Sequence, residues 1–235
     1  MIVTLGMVNG FQHAISEKVF GFWGHIRVQN IAPVRSMTAE ESPILRTPEI
    51  DSLLKADKNI VHYQTYAIKS VVLKTKENFE GAVLKGIDSS FNLSHQKQFL
   101  IEGNPINYPA TGYSNQVLIS QKIAPTLQIK VADTLHCFFI RNQQDINVRP
   151  VVVSGIYKTG IDEYDNNFII GDIRFLRRLN LWQPTEIGAY EAWLKDPSLM
   201  DSTAWHLYTE LPQGIGADTI KEIAPGIFDW LQVQD

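Results

Sequence analysis

The acidic segment DEYDNN, residues 162–167, is the group of side chains in this sequence best suited to chemistry. Its carboxylates Asp162, Glu163 and Asp165 form a candidate polar site, because calcium prefers oxygen ligands. The segment has neither the D-x-[DN]-x-[DN]-G order of an EF-hand nor the glutamate that completes it. We therefore predict a polar loop between strands, with cation binding as the alternative.

The other reactive residue types predict no catalytic or metal site. No two histidines have the spacing of metal ligands, and the sequence contains neither a GxSxG elbow nor a GxxxxGK[ST] phosphate loop. Cys137 lies in the apolar run LHCFFI, which predicts a buried thiol rather than a nucleophile. We expect a protein that is not an enzyme and that uses no cofactor.

Composition and charge are those of an ordinary globular chain. Of 235 residues, 44% are hydrophobic and 20% are charged, which is enough to bury a sizeable core. The formal net charge of −4 argues against nucleic acid as a partner, because phosphate binding requires clustered Lys and Arg. The densest basic group, Arg174, Arg177 and Arg178, predicts the solvated face of a short helix.

Both ends of the chain have the character of helices that continue towards a membrane. The apolar octet MIVTLGMV runs into the amphipathic stretch GFQHAISEKVF, and the chain finishes in GIFDWLQVQD. A membrane span needs roughly 20 apolar residues, so we expect two stalks that lead to spans outside this sequence. Trp23 and Trp230 would lie near the lipid–water boundary, with the other tryptophans in the core. The predicted stalk residues are Leu5, Val8, Ile15, Val19, Phe228, Trp230 and Leu231.

The strands and helices predicted near the N-terminus follow an order similar to those predicted near the C-terminus, which predicts that the two parts of the chain share one sheet. The early order is a strand at 25–31, a helix from Thr47 to Asp57, and strands at 60–68, 70–76 and 80–85, the last two joined as a hairpin. The late order is a strand at 187–194, a helix at 201–211 and a closing strand at 219–223. Together they predict a split βαβ arrangement.

The middle of the chain predicts a second, β-rich subdomain inserted into the first. Strands are expected at 116–120, 133–140, 150–157 and 168–170, and Ser120 can cap a helix at 121–127. The predicted fold class is therefore α+β, with a discontinuous split-βαβ subdomain and an inserted β-rich one. The predicted boundaries are a stalk helix at 1–24, the α/β subdomain at 25–88 and 182–225, the insertion at 89–181, and a return stalk at 226–235.

Six segments, taken in order, resemble a known family: FQHAISEKVFGFWGHIRV, FLIEG, NQVLISQKIA, LQIKVAD, VVVSGIYKTGIDEYD and LNLWQPTEIGAYE. They are similar to the extracytoplasmic domain of FtsX-like ABC transporter permeases, most of all the lipoprotein-releasing LolC and LolE type, and more distantly the MacB type. The resemblance implies an inner-membrane permease with four spans and one large periplasmic domain. That domain would consist of a Porter part and an inserted Sabre part.

The resemblance also implies partners and a mechanism. Such permeases pair with a second copy or a paralogue, and with a separate cytoplasmic ABC ATPase. ATP-driven motion passes through the membrane helices to the periplasmic domains, where it transfers a lipoprotein cargo to a periplasmic carrier. The membrane is reached only through flanking helices outside this sequence.

Two departures from the family pattern lie in the inserted subdomain. Pro125 interrupts a helix that is continuous in relatives, so we expect a short or kinked helix. The counterpart of the carrier-docking hairpin is RNQQDINVR, residues 141–149, which is short and polar. Its polarity favours the substrate-holding partner or a homodimeric permease. The candidate partner-contact residues are Arg141, Asn142, Gln143, Asp145 and Arg149.

Two other functions stay open at this point. A cell-division permease would activate a cell-wall hydrolase without transport, and co-purification with a hydrolase would identify it. A soluble binding protein or enzyme would use the acidic residues 162–165, and a calcium-dependent rise in melting temperature would favour it.

Overall fold

The computed structural model describes residues 2–31, 36–89, 99–142 and 145–232. The chain divides into two compact units, each assembled from separate parts of the sequence. We name them the terminal unit (Met1–Met37, Arg46–Tyr63 and Ala189–Asp235) and the central unit (Thr38–Leu45 and Gln64–Gly188). This division puts 38–45, 64–88 and 182–188 with the middle of the chain, whereas the predicted subdomain boundaries assign them to the α/β part.

The described chain alternates between strands and helices. The strands are β1 (Ile26–Asn30), β2 (Ile44–Leu45), β3 (Ile60–Lys74), β4 (Phe79–Ile87), β5 (Leu100–Gly103), β6 (Gln116–Ser120), β7 (Thr134–Asn142), β8 (Asp145–Tyr157), β9 (Phe168–Asp172), β10 (Glu186–Ile187), β11 (Ala189–Leu194) and β12 (Ile215–Thr219). The helices are α1 (Ile2–Trp23), α2 (Pro48–Ala56), α3 (Ile123–Leu127), α4 (Asp162–Asn167), α5 (Ile173–Asn180), α6 (Met200–Glu210), α7 (Ile220–Ile223) and α8 (Pro225–Gln232). The mixed content confirms the predicted fold class.

In the terminal unit, β1 lies between β11 and β12. β1 pairs antiparallel with β11 through Ile26↔Ala192 and with β12 through Ile26↔Thr219. These pairings join residues that are far apart in the sequence, and they confirm that early and late segments share a sheet. The helix α2 begins as predicted, because the Thr47 hydroxyl accepts a hydrogen bond from the Ile50 amide at 3.4 Å.

One predicted element of the terminal unit is wrong. The closing strand expected at 219–223 is the short helix α7, and the strand β12 ends at Thr219. Thr219 starts α7 with a capping box, in which its hydroxyl accepts from the Glu222 amide and the Glu222 carboxylate accepts from the Thr219 amide at 2.8 Å. The β-branched side chains at 219–223 favour a strand. The capping box instead gives the amides of Thr219 and Glu222 hydrogen-bond acceptors, which stabilises a helix.

The central unit is built on a mixed sheet. β3 and β4 form the predicted hairpin, closed by a hydrogen bond from the Thr75 amide to the Asn78 carbonyl at 2.9 Å. β4 is parallel to β9, β6 is parallel to β8, and β5 pairs with the other side of β8. The two strands predicted at 60–68 and 70–76 are one continuous strand, β3.

Local signals in the central unit act largely as predicted. The Ser120 hydroxyl accepts hydrogen bonds from the amides of Lys122 and Ile123, which caps α3. α3 has only five residues with Pro125 inside it, and it ends before Gln128 in the left-handed conformation. This agrees with the short helix expected from the proline.

The tryptophans depart from prediction in two places. Trp23 is only 1% exposed, so its side chain lies in the core of the terminal unit rather than at a lipid boundary. Trp205 was expected in the core, yet 67% of it is exposed on α6, whereas Trp193 is buried as predicted. Among the described residues, no helix combines the length and hydrophobicity needed for a membrane span.

We expect the Cys137 thiol to be unreactive in the native chain. It is fully buried, and burial raises its pKa from 9.0 to about 12. Such a rise lowers the thiolate population near pH 8 by about 1,000-fold. Reaction with a disulfide reagent should therefore be slow in buffer and fast in urea. A thiol that reacts equally fast under both conditions would contradict the burial of β7.

Candidate functional site

The first candidate site is the helix junction, which we define as the last turn of α1 and the strands that hold it. The Phe20 carbonyl, in the last turn, accepts hydrogen bonds from the Trp193 indole Nε1 at 2.7 Å and from the Gly24 amide at 2.8 Å. Phe20 is buried, and a buried carbonyl at a helix end needs such partners. These bonds fasten the end of α1 to β11.

Gly24 allows the chain to pass from α1 into β1 without a loop. Its φ of +71° lies in the left-handed region, and a Cβ there would be 2.9 Å from the Ala192 carbonyl oxygen. The next amide, that of His25, donates to the same Ala192 oxygen at 2.8 Å. Because only glycine avoids both the strain and the clash, this position requires it.

Buried charges lie beside the junction. The guanidinium carbon of Arg27 is 4.8 Å from the centre of the Trp23 ring, and Arg27 is only 2% exposed. The β1–β11 register places Arg27 directly opposite Glu191, which is also buried. The β1–β12 register places Asp218 opposite Arg27 as well, so this cation faces an acidic residue on each neighbouring strand.

The helix α8 reaches the same junction from the other end of the chain. The rings of Phe20 and Phe228 are stacked with their centroids 6.0 Å apart, and Phe228 is buried. Among the predicted stalk residues, Val19 is buried as well, and Ile15 is half-buried. The side chains of Leu5, Val8, Trp230 and Leu231 lie outside the described part of the structure. The role of these residues in coupling stays a prediction.

The second candidate site is the β7–β8 hairpin. The segment 141–149, predicted to be a short polar loop, belongs to two long paired strands, whose last pair is Asn142↔Asp145. Gln143 lies outside the described residues, as do the side chains of Arg141, Asn142 and Asp145. Arg149 is exposed, and its guanidinium donates to Asn147 at 3.3 Å. That these residues contact a partner stays a prediction.

The hairpin carries an apolar face that the sequence analysis missed. Register pairs Phe138 with Val148 and Ile140 with Ile146, and alternation along each strand puts these four side chains on one face. Ile140 is 58% exposed, Ile146 53% and Val148 38%. The signal in the sequence was the alternation F-x-I before the polar tip and I-x-V after it. We call these four residues the hairpin face.

The third candidate, the acidic segment, is the helix α4 and not a loop. Asp165 is buried, and its carboxylate accepts from the Thr159 amide and hydroxyl, both at 2.9 Å, and from the Gly160 amide at 3.0 Å. Asp162 and Glu163 are exposed, and Asp162 lies 3.6 Å from the Lys122 ammonium. Within the described residues, no cluster of His, Cys, Asp and Glu is arranged to hold a metal ion.

The basic group on α5 is also less solvated than predicted. Arg174 forms an ion pair with the buried Asp172 at 2.8 Å, and Arg177 donates to the Glu186 carbonyl at 2.9 Å. Of the three, only Arg178 is exposed, and its guanidinium carbon lies 5.6 Å from the centre of the Tyr113 ring. This group mainly holds the central unit together.

The fold of the chain is that of the extracytoplasmic domains of MacB-type ABC transporters. The periplasmic region of MacB from Actinobacillus actinomycetemcomitans superposes with a TM-score of 0.53 at 12% sequence identity, covering 87% of this chain and 92% of that one. The extracellular domain of the noncanonic ABC-type transporter YknZ from Gram-positive bacteria has a TM-score of 0.52 at 16% identity, covering 82% and 98%. The predicted resemblance is confirmed for the fold.

A curated protein is similar in sequence as well. The lipoprotein-releasing system transmembrane protein LolC of Buchnera aphidicola subsp. Schizaphis graminum (strain Sg) is 23% identical over 210 residues. The match covers 85% of this chain and 48% of LolC, so the chain spans about half the length of this curated relative. No protein-family model matches the sequence.

We expect Asp165→Ala to destabilise the central unit strongly. The substitution leaves the two buried donors of Thr159 and the amide of the exposed Gly160 without their acceptor, and each unmet buried donor costs about 1–3 kcal/mol. Thermal unfolding should show a large fall in melting temperature, whereas the exposed Asp162→Ala should change it little. Calcium should leave both melting temperatures unchanged. A calcium-dependent rise that is lost in Asp162→Ala would restore the acidic segment as a ligand site.

We expect His25 to make the chain less stable in mild acid. Burial lowers the pKa of His25 to about 4, and its Nδ1 accepts from the Leu194 amide at 3.0 Å. The unfolded chain takes up this proton below about pH 6.5. The stabilisation is therefore complete above pH 6.5 and is lost as the pH falls towards 4, by roughly 3 kcal/mol at most.

Urea unfolding between pH 7.5 and 4.5 tests this pH dependence. In His25→Asn the side-chain amide oxygen can replace Nδ1 as the acceptor of the Leu194 amide. The asparagine side chain does not titrate, so the free energy of unfolding should depend less steeply on pH. The exposed His206→Asn is the matched control and should keep the slope. An unchanged slope in His25→Asn would assign the acid sensitivity to other groups.

Proposed function

We propose that this chain is the extracytoplasmic domain of an ABC transporter permease that releases lipoproteins from the inner membrane. The fold and the sequence similarity to LolC support this assignment. The cytoplasmic ABC ATPase would be a separate subunit, and a second permease, identical or paralogous, would complete the transporter. A lipoprotein cargo, or the periplasmic carrier that takes it, would be the partner on the outer side.

The observation that carries this proposal is the helix junction. An α-helix of 22 residues is about 33 Å long. Its last turn is bonded to β11, and only Gly24 and His25 separate it from β1, so no flexible loop lies between helix and sheet. A tilt of α1 therefore turns the sheet of the terminal unit instead of bending a loop. Transfer of motion is what such a permease requires of this domain.

The hairpin face is the surface we propose for contact with the cargo or its carrier. Aliphatic side chains exposed side by side mark interaction surfaces more often than isolated ones do. Ile140, Ile146 and Val148 meet this description, and the exposed Arg149 follows Val148 along β8. This proposal adds an apolar contact to the predicted polar one, which stays a prediction.

A Gly-Gly insertion after Gly24 tests the proposed coupling in the full-length permease. The insertion adds slack between α1 and β1, so the ATPase should still co-purify while lipoprotein release falls to the level of a strain without the permease. The matched control is the same insertion after Gln213, in an exposed turn of the terminal unit, which should leave release intact.

Trp193→Phe is a milder form of the same test. It keeps an aromatic ring but removes the donor to the Phe20 carbonyl, at a cost of about 1 kcal/mol. Release should be reduced but not abolished, whereas the half-buried Trp182→Phe in the central unit should have no effect. Normal release with the Gly-Gly insertion would overturn the coupling, and co-purification with a cell-wall hydrolase instead of a lipoprotein or carrier would identify a cell-division permease.

A further inference from the structure

A groove lies along the outer edge of the terminal unit, beside β12 and α6. We call it the edge groove; its volume is about 640 Å³, and none of the sites described above includes it. The apolar part of its lining comes from Ile31, Ala204, Trp205, Tyr208 and Ala217. All of these residues belong to the terminal unit.

Two exposed aromatic side chains form one wall of the edge groove. Trp205 and Tyr208 are three positions apart on α6, so both project from the same side of the helix. Their ring centroids are 5.8 Å apart, and they are 67% and 47% exposed. Ile31 is 59% exposed in the same groove. Exposed Trp and Tyr side chains in a groove are the residues that most often anchor a bound partner.

The other wall is the unpaired edge of a sheet. β12 pairs with β1, and among the described strands none pairs with its opposite side. The Ile31 amide donates to the Gly214 carbonyl at one end of the β1–β12 pairing, and the Ile220 amide donates to the His25 carbonyl at the other end. These two bonds show which residues of β12 are hydrogen-bonded to β1. By alternation, residues 214, 216, 218 and 220 direct their backbone groups to β1, and 215 and 217 direct theirs outwards.

Two of the three outward amides of β12 are already used. The Ile215 amide donates to the Pro212 carbonyl at 3.1 Å, and the Thr219 amide donates to the Glu222 carboxylate at 2.8 Å. The amide and carbonyl of Ala217 and the carbonyl of Ile215 are left on the outer edge of the described structure. A row of such groups is a template for one added strand.

The charge of the edge groove defines the partner. Its lining contains the carboxylates of Asp201, Asp218 and Glu222 and a single ammonium, that of Lys221, for a net charge of −2. A guanidinium or ammonium group is attracted both to this rim and to the faces of Trp and Tyr rings. A basic side chain therefore satisfies the charge and the aromatic wall together.

We propose that the edge groove binds an extended, basic segment of a partner protein. The segment adds as a strand to β12 through the amide and carbonyl of Ala217. It lays an arginine or lysine side chain over Trp205 and Tyr208, between the carboxylates of the rim. This binding site is independent of the transport function proposed above, because it rests only on the strand edge, the aromatic rings and the charges of the edge groove.

A second copy of this chain fits the edge groove less well. Pairing of two β12 edges about a two-fold axis would bring two rims of net charge −2 against each other. A stable dimer buries about 1,200–2,000 Å², whereas the free edge offers only the backbone groups of Ile215 and Ala217. The groove has room for a few residues of one strand.

The test measures binding of a capped, fluorescently labelled peptide of alternating valine and arginine, about eight residues long, to the whole chain. Anisotropy should show saturable binding that weakens with salt, and the Ala217 amide should shift in NMR spectra. The same peptide with glutamate for arginine, and an N-methylated version that cannot pair with a strand edge, should both fail to bind.

Variants of the groove give the expected direction of change. Trp205→Ala should weaken binding about tenfold, because it removes both apolar and cation–π contact. Lys221→Glu makes the rim more acidic and should tighten binding, and Asp201→Lys should weaken it. The control Phe79→Ala, which removes a 75% exposed aromatic ring from the central unit, should have no effect.

Several results would overturn this proposal. Equal binding of the arginine and glutamate peptides would refute the role of charge, and equal binding of the N-methylated peptide would refute strand addition. Unchanged affinity in both Trp205→Ala and Lys221→Glu would place the peptide elsewhere. Self-association that Trp205→Ala abolishes, with no peptide bound, would assign the edge groove to a second copy. Circular dichroism of each variant excludes misfolding as the cause.

Discussion

The terminal unit depends on the direct passage from α1 into β1, the strand between β11 and β12. The Phe20 carbonyl is buried at the end of the helix and is bonded to the Trp193 indole, while Gly24 brings the backbone against Ala192. No other residue can occupy position 24 without strain or clash. Since the last turn of α1 ends on the sheet instead of in a loop, the proposed coupling would deliver a force on the helix to β1 and β11.

Polar side chains at the positions that first suggested chemistry have structural roles here. The carboxylate of Asp165 accepts three hydrogen bonds from Thr159 and Gly160, and the carboxylate of Asp172 pairs with Arg174. A buried carboxylate with its oxygens engaged by donors is not placed to bind a cation from solvent. The acidic segment therefore closes a turn of the central unit, and its remaining acids face outwards.

Two exposed surfaces of the chain differ in their chemistry. The hairpin face of the central unit is aliphatic, whereas the edge groove of the terminal unit is aromatic and acidic. Surfaces of such different chemistry suit different partners, since one favours apolar contact and the other a basic strand. A domain whose proposed task is to move partners relative to one another needs binding surfaces rather than a catalytic centre.

Short-range signals made much of the secondary structure predictable. Thr47 and Pro48 start α2, Ser120 caps α3, and alternating apolar residues gave most of the strands, because a cap or a period of two is decided within a few residues. The prediction failed at 219–223, where β-branched residues favoured a strand and the reciprocal cap between Thr219 and Glu222 makes a helix instead. The prediction of two strands at 60–68 and 70–76 was also wrong. Lys69 and Ser70 pair with Leu84 and Val83 of β4, so β3 continues through the predicted break.

By itself, the sequence determined the fold class, the sharing of a sheet by distant segments, the burial of Cys137 and a resemblance that the fold confirms. Only the tertiary structure decided which apolar side chains are exposed. Trp23 is buried by Arg27 and the sheet beneath it, whereas Trp205 lies on the side of α6 that no described element covers. Apolar spacing marks a face of a helix or strand, but pairing partners from elsewhere in the chain determine whether that face meets protein or solvent.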